Sequence, residues 1–337
     1  MTGAKISVVP PSPAPLDRSR DRHTPTTSVV RSMAATQRSE PRPVGYATDL
    51  GELLLTSIED ALDGHLDDVV GKVDLIFTSP PFPLNRKKRY GNRQGDEYLE
   101  WLVSLAKPLG ELLSPTGSIV LEVGNAWEPG RPTMSTLPLR SLLGFLEAGD
   151  LELCQQFICH NPARLPTPAQ WVTIERIRVK DSYTHVWWMS KTERPKASNW
   201  PVLVDYSKSM KKLMERGSYN SGVRPAGHSI SDESFLHNNG GAIPPNVLTF
   251  ANTRSNDLYR QFCREEGLPI HPARMQPELA EFFIKMLTDE EDLVLDPFAG
   301  SNTTGAVAER LGRRWIAVEP NREYAEGSLG RFPHLLD

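Results

Sequence analysis

Cysteine is scarce: the 337 residues hold three, Cys154, Cys159 and Cys263. They cannot all pair, and their spacing fits no zinc motif such as C-x-x-C, so neither a disulfide framework nor a structural zinc is expected. Long apolar runs are lacking too. No stretch could span a bilayer and no greasy-centred leader is read at the start, so a soluble intracellular protein is expected. Positive charge is not in excess, with a net charge of −4, so any nucleic-acid partner has to be argued from local patches. Two glycine signatures are also missing. The full G-x-G-x-x-G run of dinucleotide sites is absent, and Ala306 stands where a phosphate loop opened by Gly300 and Gly305 would need lysine, which argues against ATP or GTP hydrolysis.

What is present is enough for a large core, since 39% of the residues are hydrophobic. Residues 1–44 differ from the rest. They are rich in Pro, Ser, Thr and Arg, hold no Phe, Trp or Tyr, and carry seven basic against three acidic side chains. Such a segment cannot bury enough surface to offset the entropy of ordering, so a disordered basic tail is expected. It reads as a loose arm that tracks DNA or as a lead-in ahead of a start at Met33.

From Gly45 the pattern becomes regular. ATDLGELLLTSIEDAL predicts a helix, and KVDLIFTSPPF a strand buried on both faces. EYLEWLVSLAKPLGELL predicts a helix with Tyr98, Trp101, Leu102, Leu105, Leu109 and Leu112 on one face and a kink at Pro108. The strand SIVLEV, the helix LPLRSLLGFLEAG and the strand LELCQQFICHN follow. Strands alternating with helices predict a parallel, doubly wound α/β sheet. After THVWWMSK the periodicity is lost among Gly, Asn, Ser and Pro, as in an inserted recognition region. Order returns with HPARMQPELAEFFIKMLT and continues as strand, glycine turn, helix, strand, acid and helix.

Two short stretches carry chemistry. In LVLDPFAGSNTTG, a glycine-bearing turn leaves a buried strand and opens a helix, a position that suits a nucleoside-type ligand. Asp296 ends the strand, Gly300 lets a ligand approach the backbone, and Glu319 ends the next strand 23 positions after Asp296. An acid at about that separation, roughly 20 residues on, holds ribose hydroxyls in this class of fold. In TSPPF, two prolines that cannot continue a sheet stop a strand. Ser79 and the carbonyl of Pro80 form a stiff pair of acceptors, Pro81 rigidifies the loop, and Phe82 offers a face on which an extruded base can stack. Paired acceptors suit an aromatic amine: by holding its hydrogens they free a lone pair otherwise drawn into the ring. Arg86, Lys87, Lys88, Arg89 and Arg93 follow directly, placed to neutralise phosphates around such a base.

TSPPF together with DPFAGSNTTG resembles the amino-methylating DNA methyltransferases, and the catalytic motif precedes the cofactor motif as in their beta class. Serine in the first catalytic position resembles the cytosine-N4 branch, where adenine-N6 enzymes carry Asp or Asn. The resemblance covers most of the chain from about Gly45 on. It implies an S-adenosylmethionine-dependent, Rossmann-like methyltransferase fold with a circularly permuted motif order and an inserted target-recognition region. The implied divisions are the tail (1–44), a catalytic half (45–190), the recognition region (191–262) and the S-adenosylmethionine-binding half (263–337). It further implies a catalytic loop of Ser79, Pro80, Pro81 and Phe82, and a cofactor site of Asp296, Phe298, Gly300, Ser301, Asn302, Thr303 and Glu319. His271 and Pro272, in the HPAR motif, would pack against the methionine part, and Asp49 would be a further cofactor-side acid. Glu122, ending SIVLEV, would position Ser79 or take up the departing proton.

The function so implied is methyl transfer to N4 of a flipped cytosine in double-stranded DNA, within a six-base palindrome such as CAGCTG. No metal and no covalent enzyme–base intermediate are needed. Candidate DNA contacts in the middle of the chain are Arg178, Lys180, Lys191, Arg194, Lys196 and Arg224. The expected setting is the cytoplasm of a prokaryote, acting as a monomer on DNA, with a cognate restriction endonuclease for the same site; a solitary enzyme would look the same. A cytosine-C5 enzyme is excluded, because it needs a thiolate just after a proline and the three cysteines follow Leu, Ile and Phe. Adenine-N6 methylation and a non-catalytic DNA-binding scaffold are the alternatives.

Overall fold

A computed structural model describes residues 42–82, 93–225, 227, 229–231, 235–251 and 257–336. Arg86, Lys87, Lys88 and Arg89, and all but the last three residues of the basic tail, lie outside the described residues. In chain order the elements are β1 (Val44–Ala47), β2 (Gly51–Leu54), a single turn α1 (Ile58–Asp60), β3 (Val73–Thr78), α2 (Gly95–Ser104), α3 (Ala106–Leu112), β4 (Leu113–Gly124), α4 (Leu137–Gly149), β5 (Glu152–His160) and β6 (Tyr183–Ser190). Then come α5 (Lys208–Arg216), the small hairpin β7 (Gly222–Val223) and β8 (Ser229–Ile230), β9 (Val247–Thr249), α6 (Leu258–Glu265), α7 (Pro277–Leu287), β10 (Leu293–Asp296), α8 (Thr303–Arg310), β11 (Arg314–Val318) and α9 (Arg322–Ser328). Among the described residues no helix is long and apolar enough to cross a membrane.

Nine strands form one sheet in the order β1-β2-β11-β10-β3-β4-β6-β5-β9. The run from β2 to β4 is parallel; β6 is antiparallel to both its neighbours, and β1 is an antiparallel edge. Alternate residues of each central strand feed two cores. Ile119, Leu121, Leu295 and Ile316 pack under α2, α3 and α4, whereas Val120, Val294, Trp315 and Ala317 pack under α7 and α8. This two-sided burial makes the strands read as nearly continuous apolar runs.

Two local readings need correction or refinement. The first predicted helix is strand in its first half: Gly51–Leu54 is β2, paired with β11, and helix begins only at Ile58. Leu53 and Leu54 are both fully buried, in opposite cores, so adjacent leucines mark the two faces of a strand and not a helical stripe. The long helix after the catalytic loop breaks at Leu105 into α2 and α3. Pro108 lacks the N–H that would bond the Ser104 carbonyl, which accounts for the break.

The chain runs from β3 outward through β4, and from β10 the other way to β11. The strand order therefore reverses between β10 and β3, and the crevice beyond the carboxyl ends of these two strands is where such folds bind ligands. Thr78 and Asp296, 218 positions apart in the chain, meet there: Thr78 Oγ1 donates to Asp296 Oδ1 at 2.5 Å.

Candidate active site

Two cavities open at this end of the sheet. The larger, about 620 Å³, is lined by the TSPPF loop after β3, the loop after β10, the end of β11 and the HPAR segment. The smaller, about 330 Å³, lies beyond the ends of β4, β5 and β6. Ser79, Phe82, Ala273 and Met275 line both, so the catalytic loop forms a shared wall.

In the larger cavity two carboxyls are buried, Asp296 at 3% exposure and Glu319 at 7%. Burial pushes Asp296 above the usual carboxylate range, opposed by three donors: Thr304 Oγ1 at 2.6 Å, Thr78 Oγ1, and the Phe298 N–H at 3.1 Å. Glu319 is pushed up to about 7 by burial, although the N–H groups of Gly300 and Asn321 donate to it at 2.8 and 2.9 Å. Gly300 has φ +53°, and a Cβ there would stand 3.1 Å from the His271 ring. That ring sits edge-on to Tyr324, with centroids 4.6 Å apart, and the His271 N–H donates to the Tyr259 hydroxyl at 2.8 Å. Half-buried Arg331 ties down the loop after β10, donating to Ser301 O at 2.6 Å and to Ser301 Oγ at 3.0 Å. Phe298 lines the cavity edge-on to Trp101, and Ser301 and Thr303 line it as well.

In the smaller cavity Glu122 accepts from Thr184 Oγ1 at 2.8 Å and from the Ser79 hydroxyl. Burial raises its pKa, against the pull of these two hydroxyls and of the Arg164 charge. Cys159 lies beside it, its thiol pushed up to about 12 by burial and by the Glu122 charge, and it donates to Gln276 Oε1 at 3.3 Å. Phe82 rests against the backbone of Gly124 so closely that a Cβ there would fall 2.3 Å from its ring. Pro272 lines this cavity, while His271 lines the other.

The structure thus brings together Ser79, Pro80, Pro81, Phe82, Glu122, His271, Pro272, Asp296, Phe298, Gly300, Ser301, Thr303 and Glu319 around the two cavities. Asn302 and Asp49 are placed elsewhere. Asn302 is fully buried beneath the loop, where its Oδ1 caps α8 at Gly305 N (3.1 Å) and its Nδ2 donates to Tyr46 OH (2.9 Å); such a cap contributes about 1 kcal/mol. Asp49 is exposed in the turn before β2. Gly51 pairs with Trp315 near the start of β11, so that turn is at the end of the sheet opposite the cavities.

The basic candidates divide in the same way. Arg93 lies 5.1 Å over the Trp101 ring, next to Phe298. Arg178 and Lys180 are exposed on the connection from β5 to β6 at the cavity end, and Arg224 lies over Tyr219. Lys191, Arg194 and Lys196 leave the opposite end. β6 runs antiparallel to β4, so Ser190 pairs with Ser118 at the strand's far end. Lys191 there donates to Leu113 O, and Lys196 pairs with Asp289 and Asp292. Sequence reasoning missed Thr78, Thr304, Tyr324, Arg164 and Thr184. A threonine at the end of a greasy strand was a signal for Thr78; Arg164 and Thr184 reach the site only through the sheet.

The doubly wound sheet, its reversal point and the shared loop define a methyltransferase of the S-adenosylmethionine-dependent fold. Residues 73–329 match the DNA methylase family model, and the chain belongs to that family. It is 44% identical over 289 residues to the Type II methyltransferase M.PvuII of Proteus hauseri, covering 85% of each chain. It is 25% identical to the Type II methyltransferase M.BglII of Bacillus subtilis, over 79% of this chain and 65% of that one. Among solved structures it is similar to the PvuII DNA methyltransferase (cytosine-N4-specific), with TM-score 0.69, 37% identity and coverage of 86% and 89%. A putative DNA modification methylase from Thermus thermophilus, complexed with S-adenosyl-L-methionine, shares the fold at TM-score 0.50 and 20% identity, with coverage of 84% and 93%.

Proposed function

We propose that this protein transfers a methyl group from S-adenosylmethionine to N4 of a flipped cytosine in a short double-stranded palindrome such as CAGCTG, as the modification enzyme of a restriction-modification system. The observation that carries the reading is the shared wall: Ser79 and Phe82 face both a cavity with two buried carboxyls and a neighbouring pocket large enough for a base.

The larger cavity suits the methyl donor. Its volume falls in the range of cofactor sites, and its acids match a ligand that carries an ammonium group and ribose hydroxyls. Glu319 and Gly300 would hold the ribose side, while His271 and Phe298 would pack against the rest. When bound, S-adenosylmethionine supplies an electrophilic sulfonium methyl. The protein's part is positioning and electrostatics. Because the Ser79 hydroxyl hydrogen-bonds Glu122, its lone pairs are left to accept from the cytosine amine, alongside the Pro80 carbonyl. Phe82, held on Gly124, stacks the base. Glu122, with its raised pKa, can take the proton that the amine loses. A monomer that treats each strand in turn suffices.

The test is to incubate the full chain with S-adenosylmethionine and unmethylated plasmid, and to digest the DNA for nucleoside mass spectrometry. N4-methylcytosine is expected. N6-methyladenine would overturn the choice of base, and DNA binding with no methyl transfer would leave a scaffold protein.

Two pH dependences follow. Glu319 stands at about 7 in the ligand-free chain. The sign is that of a raised acid: it favours folding below its ordinary 4.5 and loses that contribution as pH rises through about 7. Ribose hydroxyls donate to the ionised form, so cofactor affinity should fall by up to about tenfold per unit as pH drops below 7 and level off above it. Calorimetry across this range checks it, and Glu319→Gln should weaken binding and flatten the profile. For Glu122, proton uptake needs the carboxylate, so turnover should rise with pH through its raised pKa. Single-turnover rates for Glu122→Gln should be about 10²-fold lower and lack that rise.

A further inference from the structure

The smaller cavity is chemically lopsided. Ser79 and Glu122 present oxygen acceptors to it, whereas Arg164 brings a donor-rich, permanently charged guanidinium. The local chain fixes where that group sits. Asn161 Oδ1 accepts from Ala163 N at 3.0 Å and Arg164 N donates to Asn161 O at 3.2 Å, a turn that carries the backbone off the end of β5. Arg164 Nη1 then donates to Tyr183 O, the first residue of β6, at 3.1 Å. Lys180 Nζ holds the loop from behind, at 3.0 Å from Pro162 O and 3.3 Å from Arg164 O. The guanidinium is half-buried, and its charge acts on Glu122.

Two DNA bases, cytosine and adenine, present on the pairing edge an exocyclic amine beside a ring-nitrogen acceptor; the guanine amine stands beside a ring N–H instead. Along the pairing edge cytosine shows amine, ring nitrogen acceptor, then the O2 acceptor. Adenine shows amine, ring nitrogen acceptor, then a C–H. An amine held at Ser79 therefore looks the same in both, and discrimination has to come from a donor at the third position. Two arginines line this cavity: Arg274 Nη1 is committed to the Asp257 carboxylate at 2.9 Å, whereas Arg164 is the one whose charge acts on Glu122, and Arg164 is the donor assigned to that position. Bound to adenine, it would face a C–H with its hydrogen bond unmade, which is costly in a water-poor pocket.

We propose that Arg164 is a specificity-determining residue that donates to O2 of the flipped cytosine and so selects cytosine over adenine. This rests on the reading of the site given above. The competing role for an arginine beside a flipped nucleotide is a phosphate clamp, which would be indifferent to the base.

The experiment compares the full-length wild-type chain with Arg164→Met on site duplexes that carry cytosine, adenine or no base at the target position. Expected is a loss of about ten- to hundredfold in kcat/KM for cytosine, with the cytosine-over-adenine ratio falling in step. Affinity for the duplex with no target base, and for S-adenosylmethionine, should stay within about twofold, and Arg164→Lys should recover part of the cytosine rate. An unchanged cytosine-over-adenine ratio would overturn the proposal. So would an affinity for the baseless duplex that falls as far as the rate, the mark of a phosphate clamp. If Arg164→Met fails to bind S-adenosylmethionine as a folded chain, Arg164→Gln serves in its place. Wild-type protein that leaves cytosine unmodified would overturn the functional reading and this inference together, whereas cytosine methylation by wild type with an intact ratio in the variant removes the inference alone.

Discussion

Replacing Ser79 by alanine is expected to lower the methyl-transfer rate by about 10²–10³-fold or more, the scale found when one preorganised polar group is removed from a reacting centre. The ground-state cost should be small. Ser79 is half-exposed and its hydroxyl bonds Glu122, so about 1 kcal/mol of stability is at stake. Ser79 only borders the cofactor cavity, whose buried acids and glycine turn come from the loop after β10 and the end of β11, so S-adenosylmethionine affinity should hardly change. Single-turnover transfer to a site duplex, with cofactor affinity measured alongside, separates the two. A rate within about threefold of wild type would remove Ser79 from the chemistry and leave the Pro80 carbonyl as the sole acceptor.

Replacing Gly300 by valine is expected to cut cofactor affinity by at least about tenfold while the fold survives. The left-handed conformation costs a side chain roughly 1–2 kcal/mol, a factor of about 5 to 30 in an equilibrium. The added Cβ would also meet the His271 ring at 3.1 Å, and the valine methyls would extend from it into the ligand's space. His271 cannot yield freely, because Tyr324 packs against its ring and Tyr259 accepts from its backbone N–H. Circular dichroism and thermal melting report the fold, and calorimetry reports the affinity. Wild-type affinity in a folded Gly300→Val chain would mean that the ligand does not approach this loop.

Much of the site was legible because it is local. Asp296, Gly300 and Glu319 belong to one strand–turn–helix–strand unit, whose length sets their spacing. Ser79 to Phe82 announce themselves as a proline stop after an apolar run. The misplacements have separate causes. Asn302 follows Gly300 and Ser301 in the same turn, but its φ of +49° turns the side chain under the loop to cap α8. Asp49 precedes a segment whose adjacent leucines read as helix; as strand β2, parallel to β11, it carries Asp49 to the far end of the sheet. Lys191, Arg194 and Lys196 follow a strand whose direction no local pattern reveals.

The sequence by itself determined the alternation of buried strands and helices, the two loops that end β3 and β10, and the chemistry each loop can offer, because these depend on burial and backbone freedom over a few residues. Only the tertiary structure decided that β3 and β10 are neighbours, so that Thr78 grips Asp296 across 218 positions, and that β6 runs backward to deliver Thr184 to Glu122 and Tyr183 to Arg164. Strand order and direction are settled by which helices bury each face and by how distant segments close on one another, and those energies belong to no single stretch of chain.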